Sequence, residues 1–184
     1  MSNDSNTIGI KALLSAAALM WVIQILNIFS NNFFNQFGIL PREISHLTGI
    51  LFTPFLHGNL PHIIANTIPF IVLGFLVHQT KHLFYVSAFV AFFGGLAVWI
   101  FARSSYHIGA SGVIMGYFGF LLSHAFFTRT LRSIIVSFAA IIIYGGMIIS
   151  LVDFRAHISF EGHIFGFISG VIAAKLIGNK HKMA

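Results

Sequence analysis

Six apolar runs, each close to the length of a membrane-spanning helix, constrain this chain more than any other feature of its sequence. They lie at about 12–29, 60–77, 83–101, 110–127, 133–151 and 158–177. A hydrocarbon core about 30 Å thick needs about 20 apolar residues per helix. Only 8% of the 184 residues are charged and 57% are hydrophobic, so the chain cannot face water on all sides. We therefore predict an all-α integral membrane protein, a six-helix transmembrane bundle.

The spacing of the runs predicts one membrane domain over residues 1–184, with short tails at 1–10 and 178–184. The longest connection, at about 30–59, is amphipathic and is expected to form a long first outer loop lying partly in the interface. The first run is too long for the apolar region of a signal peptide, so we treat it as a span. Because the chain has no cysteine, disulfides and thiol chemistry are excluded.

The distribution of Lys and Arg predicts the orientation. With a cytoplasmic N-terminus, the inner segments hold Lys11, Lys81, Arg129, Arg132, Lys175, Lys180 and Lys182, and the outer segments hold Arg42, Arg103 and Arg155. This excess follows the positive-inside rule and places both termini in the cytoplasm. The cations form no dense stripe, so the net charge of +6 is a topology signal, and no nucleic-acid partner is expected.

Polar side chains near the starts of the second, fourth and sixth runs mark a candidate site. The stretch FLHGNLPHIIAN contains His57, His62 and Asn66, GASGVIMG contains Ser111, and GHIFGFISG contains His163. These three runs cross the bilayer in the same direction, so their starts share the outer face and the polar groups lie within about two helical turns of it. Polar groups within the bilayer cost free energy unless they are paired or face water, so their presence here indicates a functional site.

Helical spacing predicts how these side chains could cooperate. His62 and Asn66 are four residues apart and share a helix face. Ser111 lies at a helix N-terminus, where free amides stabilise a developing anion. A serine nucleophile needs an adjacent base, which is usually His, so His163 is the candidate base for acyl transfer.

Small residues recur in the fourth and sixth runs, at Gly112, Gly116, Gly119, Gly166 and Gly170. Such spacing permits two helices to approach backbone to backbone, which would bring Ser111 and His163 together. Among the acids, Glu161 is expected on a different helix face from His163, and Asp153 in the preceding loop stays open as a third member. We predict a Ser-His dyad whose base is oriented by packing.

Other interpretations apply to the same residues. Taken alone, Ser111 is typical of helix packing and His163 of a buried structural histidine. His57 and His62 are five residues apart and do not share a face, so no metal site is predicted. A small transporter with His62 and His163 along a polar path is a further alternative, although most spans lack buried acids.

The three stretches together resemble the rhomboid intramembrane serine proteases, over about residues 45–177 and with the minimal six-helix core of bacterial members. The resemblance implies Ser111 as nucleophile, His163 as general base and later acid, and an oxyanion hole formed by the Ser111 amide, His62 and Asn66. It also implies a turn at Gly109. No cofactor is implied.

The resemblance implies single-pass transmembrane proteins as substrates. The short N-terminal segment before the first run favours a bacterial inner membrane over an organellar one as the expected location. It implies a structural role for His57 near the site, and Gly112, Gly166 and Gly170 keep their packing role. Met115 stands where the family usually has Tyr or Phe, and the family's first-loop Trp-Arg pair is absent. The alternative function is therefore a rhomboid-like pseudoprotease that binds or traffics membrane proteins.

Overall fold

The computed structural model describes residues 3–153 and 159–183, through which six long helices run. They are α1 (Asn3–Phe29), α2 (Leu60–Gln79), α3 (Leu83–Phe101), α4 (Ser111–Thr128), α5 (Leu131–Val152) and α6 (Phe160–Met183). All six are long and apolar enough to cross a bilayer, and no strand occurs within the described residues. The predicted all-α, six-helix membrane fold is confirmed. Arg155 and the expected start of the sixth run at 158 lie outside the described residues.

The ends of the helices extend beyond the apolar runs. Helix α1 begins at Asn3 and α6 ends at Met183, so the segments expected as tails are largely helical. Extending a formed helix adds one hydrogen bond for each residue ordered, which makes such extension inexpensive.

Two spans depart from regular α-helix. Helix α3 contains a π-helical turn at Val90–Gly94, and α5 continues beyond Tyr144 as a 3-10 helix, Gly145–Val152. The π-helical turn packs against α4 and α6, because a Cβ on Gly116 would overlap the Val90 side chain and one on Gly94 would lie 3.4 Å from the Cα of Gly166.

The loop between α1 and α2 is a chain of short helices, at Phe33–Phe37, Ile44–His46, Gly49–Phe52 and Thr53–Phe55. It is tied to α1 by Asn27, whose Nδ2 donates to Asn35 Oδ1 at 2.9 Å and whose Oδ1 accepts from the Phe34 amide at 3.0 Å. Arg42 ties it to the end of α3 by donating to the Ala102 carbonyl at 2.7 Å. The amphipathic loop is thus docked on the end of the bundle where α4 begins.

Helix α4 is the centre of the bundle: 56% of its span is buried, against 33% or less for the other five spans. It crosses α6 at van der Waals contact between backbones. A Cβ on Gly166 would overlap the carbonyl oxygen of Gly112, and one on Gly170 would overlap that of Gly116. Only hydrogen at these Cα atoms permits the approach, which places the first turns of α4 and α6 side by side.

Candidate active site

Ser111 is the first residue of α4, preceded by Ala110 at the N-cap. The first amides of a helix have no acceptor within the helix, so they and the helix dipole favour negative charge at this point. The turn before it requires glycine: Gly109 has φ +115°, a value that L side chains rarely adopt. The Gly109 amide donates to the Thr53 carbonyl at 3.0 Å, which fixes the turn against the first loop.

His62 faces the same point as Ser111. A Cβ on Gly109 would lie 2.8 Å from His62 Nε2 and 3.8 Å from Ser111 Oγ. The Gly58 amide donates to His62 Nδ1 at 3.5 Å, so Nδ1 is the unprotonated nitrogen of the neutral ring and Nε2 carries the hydrogen. His62 therefore presents an N–H donor beside the serine hydroxyl.

Asn59 and Asn66 hold the start of α2 in place. The Asn59 side chain caps the helix by accepting from the His62 amide at 2.8 Å. Asn66, one turn further along, donates one Nδ2 hydrogen to the His62 carbonyl at 2.8 Å. A second hydrogen remains on that nitrogen, so Asn66 keeps a donor on the face it shares with His62.

His163 lies in the first turn of α6, beside the first turn of α4. A Cβ on Gly112 would be 3.3 Å from the Gly162 carbonyl oxygen, so the residues next to Ser111 and His163 meet. His163 Nδ1 donates to the Ser150 carbonyl at 3.0 Å. A carbonyl only accepts, so Nδ1 carries the hydrogen and Nε2 is the free acceptor.

Ser150, at the 3-10 end of α5, was missed by the sequence reasoning, which assigned the orientation of His163 to packing. Its carbonyl holds the ring, and its hydroxyl donates to the Met147 carbonyl at 2.7 Å. The hydroxyl oxygen also lies 3.7 Å from the sulfur of the fully buried Met115. The apolar run at 133–151 holds three serines, and nothing in the sequence distinguishes Ser150 from the other two. Met115 thus contacts the residue that orients His163.

The hydrogen bond between the two members of the dyad is not formed in this structure. Within residues 3–153 and 159–183, neither Ser111 Oγ nor His163 Nε2 has a hydrogen-bond partner. Catalytic hydrogen bonds are often long until substrate binds. Ser111 lines a crevice of about 40 Å³ together with Gly109, Ser159 and Gly162. That volume has room for about three water molecules but not for a peptide.

His57 packs edge-on against His62, with ring centroids 5.0 Å apart. Burial, followed by the neighbouring His62, lowers the pKa of His57 to about 4. His57 is therefore neutral at neutral pH and adds no positive charge beside His62.

A second polar network borders the crevice. Glu161 pairs with Arg103 at 3.4 Å, which accounts for its direction away from His163. His107 Nε2 donates to the Arg103 carbonyl at 3.1 Å, so its Nδ1 accepts from the Ser159 hydroxyl at 2.6 Å. Burial lowers the pKa of His107, which favours this neutral arrangement.

Comparison with known proteins decides the family. The family model of the Rhomboid domain matches residues 44–180, which include all three polar stretches. The chain belongs to the rhomboid family. This confirms the resemblance and identifies a multi-pass integral membrane protein that is an intramembrane protease or a rhomboid-like protein.

Relatives of this rhomboid occur in bacteria and a virus. An uncharacterized protein of Mycobacterium tuberculosis is 31% identical over 188 residues, covering 96% of this chain and 78% of its own. One of Mycobacterium leprae is 36% identical over 184 residues, covering 92% and 72%. A protein of Acanthamoeba polyphaga mimivirus, provisionally named as a rhomboid, is 29% identical over 156 residues and covers 77% of each chain.

Within the described part of this rhomboid, no group of three metal-ligating side chains comes together. The site residues drawn together are Ser111, Gly109, His62 and Asn66, with His163 held by Ser150 in the adjoining turn. Such a set has the groups that proton transfer and covalent acyl transfer require.

Proposed function

We propose that this rhomboid is an intramembrane serine endopeptidase that cleaves single-pass transmembrane proteins through an acyl-enzyme on Ser111. One observation carries the proposal: the two histidines beside the serine are held in complementary tautomers. His62 turns a donor toward Ser111, and His163 keeps its Nε2 as an acceptor. An oxyanion needs a donor and a serine hydroxyl needs a base, so the two rings suit the two opposite roles.

In the first step, His163 Nε2 takes the hydroxyl proton as Ser111 Oγ bonds to the carbonyl carbon of the scissile peptide. The negative charge that develops on the carbonyl oxygen is stabilised by the Ser111 amide, His62 Nε2–H and the second Asn66 Nδ2–H. The carbon–nitrogen bond then breaks, and His163 gives its proton to the departing amine.

In the second step, water attacks the ester on Ser111 and gives one proton to His163. The same donors stabilise the second tetrahedral intermediate. When the carbon–oxygen bond of the ester breaks, the proton returns from His163 to Ser111 Oγ and a carboxyl product leaves. The crevice beside Ser111 has the volume for the water that this step consumes.

The test is cleavage of a model single-pass membrane substrate by the purified full chain in detergent or liposomes. Ser111→Ala and His163→Ala should abolish cleavage. His62→Ala and Asn66→Ala should each slow it about 100-fold, the usual effect of losing an oxyanion donor. His62→Gln, which retains an N–H donor, should lose less than His62→Ala. Unchanged cleavage by Ser111→Ala or His163→Ala would refute the proposal.

A second candidate function is supported by the unformed bond between Ser111 and His163 and by the methionine at position 115. A pseudoprotease would bind single-pass proteins without cutting them. It predicts that the parent and Ser111→Ala capture the same membrane proteins in the same yield, with no new fragments from either.

We propose that both termini face the cytoplasm of a bacterium, with Ser111 near the outer face of the inner membrane. Because the chain has no cysteine, single cysteines can report this orientation. In intact cells an impermeant maleimide should label Gln36→Cys in the outer loop and leave Arg129→Cys unlabelled. The reverse pattern would overturn the orientation.

A further inference from the structure

A second cavity lies at the end of the bundle opposite Ser111. Its volume is about 680 Å³, within the range of ligand sites. His124 in its wall follows Ser111 along α4 by about 20 Å of helix at 1.5 Å per residue. The predicted orientation places this cavity at the cytoplasmic interface, and the proposed peptidase chemistry does not involve it.

The lining of this cavity is rich in groups that bind anions. Lys81 follows α2 and Arg132 is in the first turn of α5, and His82 and His124 line the same cavity. No carboxylate is among the described residues that line it. Like charges brought to one cavity repel each other, so a bound anion would stabilise the arrangement.

Side-chain contacts orient three of these four groups, Arg132, His124 and His82. Arg132 Nη2 donates to Gln79 Oε1 at 2.9 Å, which sets the direction of the guanidinium and leaves further N–H groups on it. His124 stacks on Phe120 with centroids 4.8 Å apart, and His82 meets His124 edge-on at 5.7 Å. An oriented guanidinium suits the paired oxygens of a phosphate.

The rest of the wall indicates which phosphate would fit. Tyr85, Leu176 and Ile177 also line the cavity, so a ligand would meet both apolar and cationic side chains. Phospholipids combine a charged headgroup with an apolar glyceride, and basic pockets between transmembrane helices on the cytoplasmic side bind lipid headgroups in this way. We propose that this cavity binds the phosphate of an anionic phospholipid.

The test uses the full chain, delipidated in detergent and titrated with phosphatidylglycerol or phosphatidylcholine, with bound lipid counted by native mass spectrometry. The double variant Lys81→Gln/Arg132→Gln should bind phosphatidylglycerol at least about tenfold more weakly than the parent. The matched control, Arg129→Gln/Lys175→Gln, removes two exposed cations outside the cavity and should change the affinity by less than about threefold. The charge-conserving pair Lys81→Arg/Arg132→Lys should keep most of the affinity.

Several results would overturn the proposal. Equal binding of the two lipids would remove the requirement for an anionic headgroup. Equal weakening by the cavity pair and the control pair would assign the effect to general surface charge. Displacement of phosphatidylglycerol by an equal concentration of inorganic phosphate would identify a free anion as the ligand. Helix content measured by circular dichroism checks that each variant is folded, and Lys81→Gln alone, which breaks no described contact, should still weaken binding.

Discussion

Replacing Gly166 by alanine tests how closely the α4–α6 crossing controls the positions of the proposed catalytic groups, Ser111 and His163. The new Cβ would overlap the Gly112 carbonyl oxygen and would lie 2.8 Å from its carbon. Both atoms belong to backbone, so no side-chain rotation relieves the overlap. The two helices must separate by about 1 Å before the contact reaches a normal distance.

The two residues that must separate lie close to the proposed catalytic groups. Gly112 directly follows Ser111, and Gly166 is about one helical turn beyond His163. Overpacking of this kind costs about 1–3 kcal/mol of stability. A displacement of about 1 Å at reacting groups lowers the rate about 100-fold. We therefore expect Gly166→Ala to stay folded with a lower melting temperature and to lose about two orders of magnitude in kcat/KM.

The assay is cleavage of a model single-pass substrate, with thermal unfolding measured on the same samples. Two glycines provide controls. A methyl group added at Gly146 would meet no atom within 4 Å, so Gly146→Ala should leave the melting temperature unchanged and alter the rate by less than about twofold. Gly119→Ala overlaps the Phe167 carbonyl about 12 Å further along α4, so it should reduce stability with a smaller loss of rate. Parent-like activity of Gly166→Ala, or an equal loss of rate in Gly119→Ala, would refute the reasoning.

Three further predictions concern the contacts around the site. The pKa of His57 is lowered to about 4 from an unfolded value near 6.5, so the unfolded state binds more protons between these pH values; stability should fall as pH drops from about 6.5 to 4, by up to about 3 kcal/mol, and melting curves of His57→Gln should show a smaller fall. Ser150→Ala keeps the carbonyl that accepts from His163, so cleavage rate and its pH profile should change less than about threefold. Arg42→Ala removes the bond to the Ala102 carbonyl and should cost about 1–3 kcal/mol in denaturant unfolding, whereas Arg129→Ala should have little effect.

Most helix positions could be predicted from the apolar runs, because the thickness of the bilayer sets a similar minimum length for every membrane-spanning helix. The run predicted at 83–101 is α3 with the same limits, and the run at 110–127 is α4 within one residue at each end. The π-helical turn in α3 and the 3-10 end of α5 were not predictable. Both depend on packing against α4 and α6, and the sequence of one helix does not show how it packs against another.

For the candidate site, the shared depth of Ser111, His62 and His163 could be predicted from the direction of three helices. The partner of His163 Nδ1 could not, because it is a backbone carbonyl, and every residue has one. Ser150 therefore carried no distinguishing side-chain signal. The tautomers of His62 and His163 likewise depend on which backbone group faces each ring, which only the folded arrangement decides.

The most direct test of the central claim is covalent trapping of the nucleophile. The purified parent chain is treated with a fluorophosphonate, and the adduct is located by mass spectrometry of the intact chain and its peptides. The account predicts one adduct per chain, on Ser111, absent from Ser111→Ala and strongly reduced in His163→Ala. An adduct of equal yield in Ser111→Ala, or no adduct on a parent chain that still cleaves substrate, would contradict it.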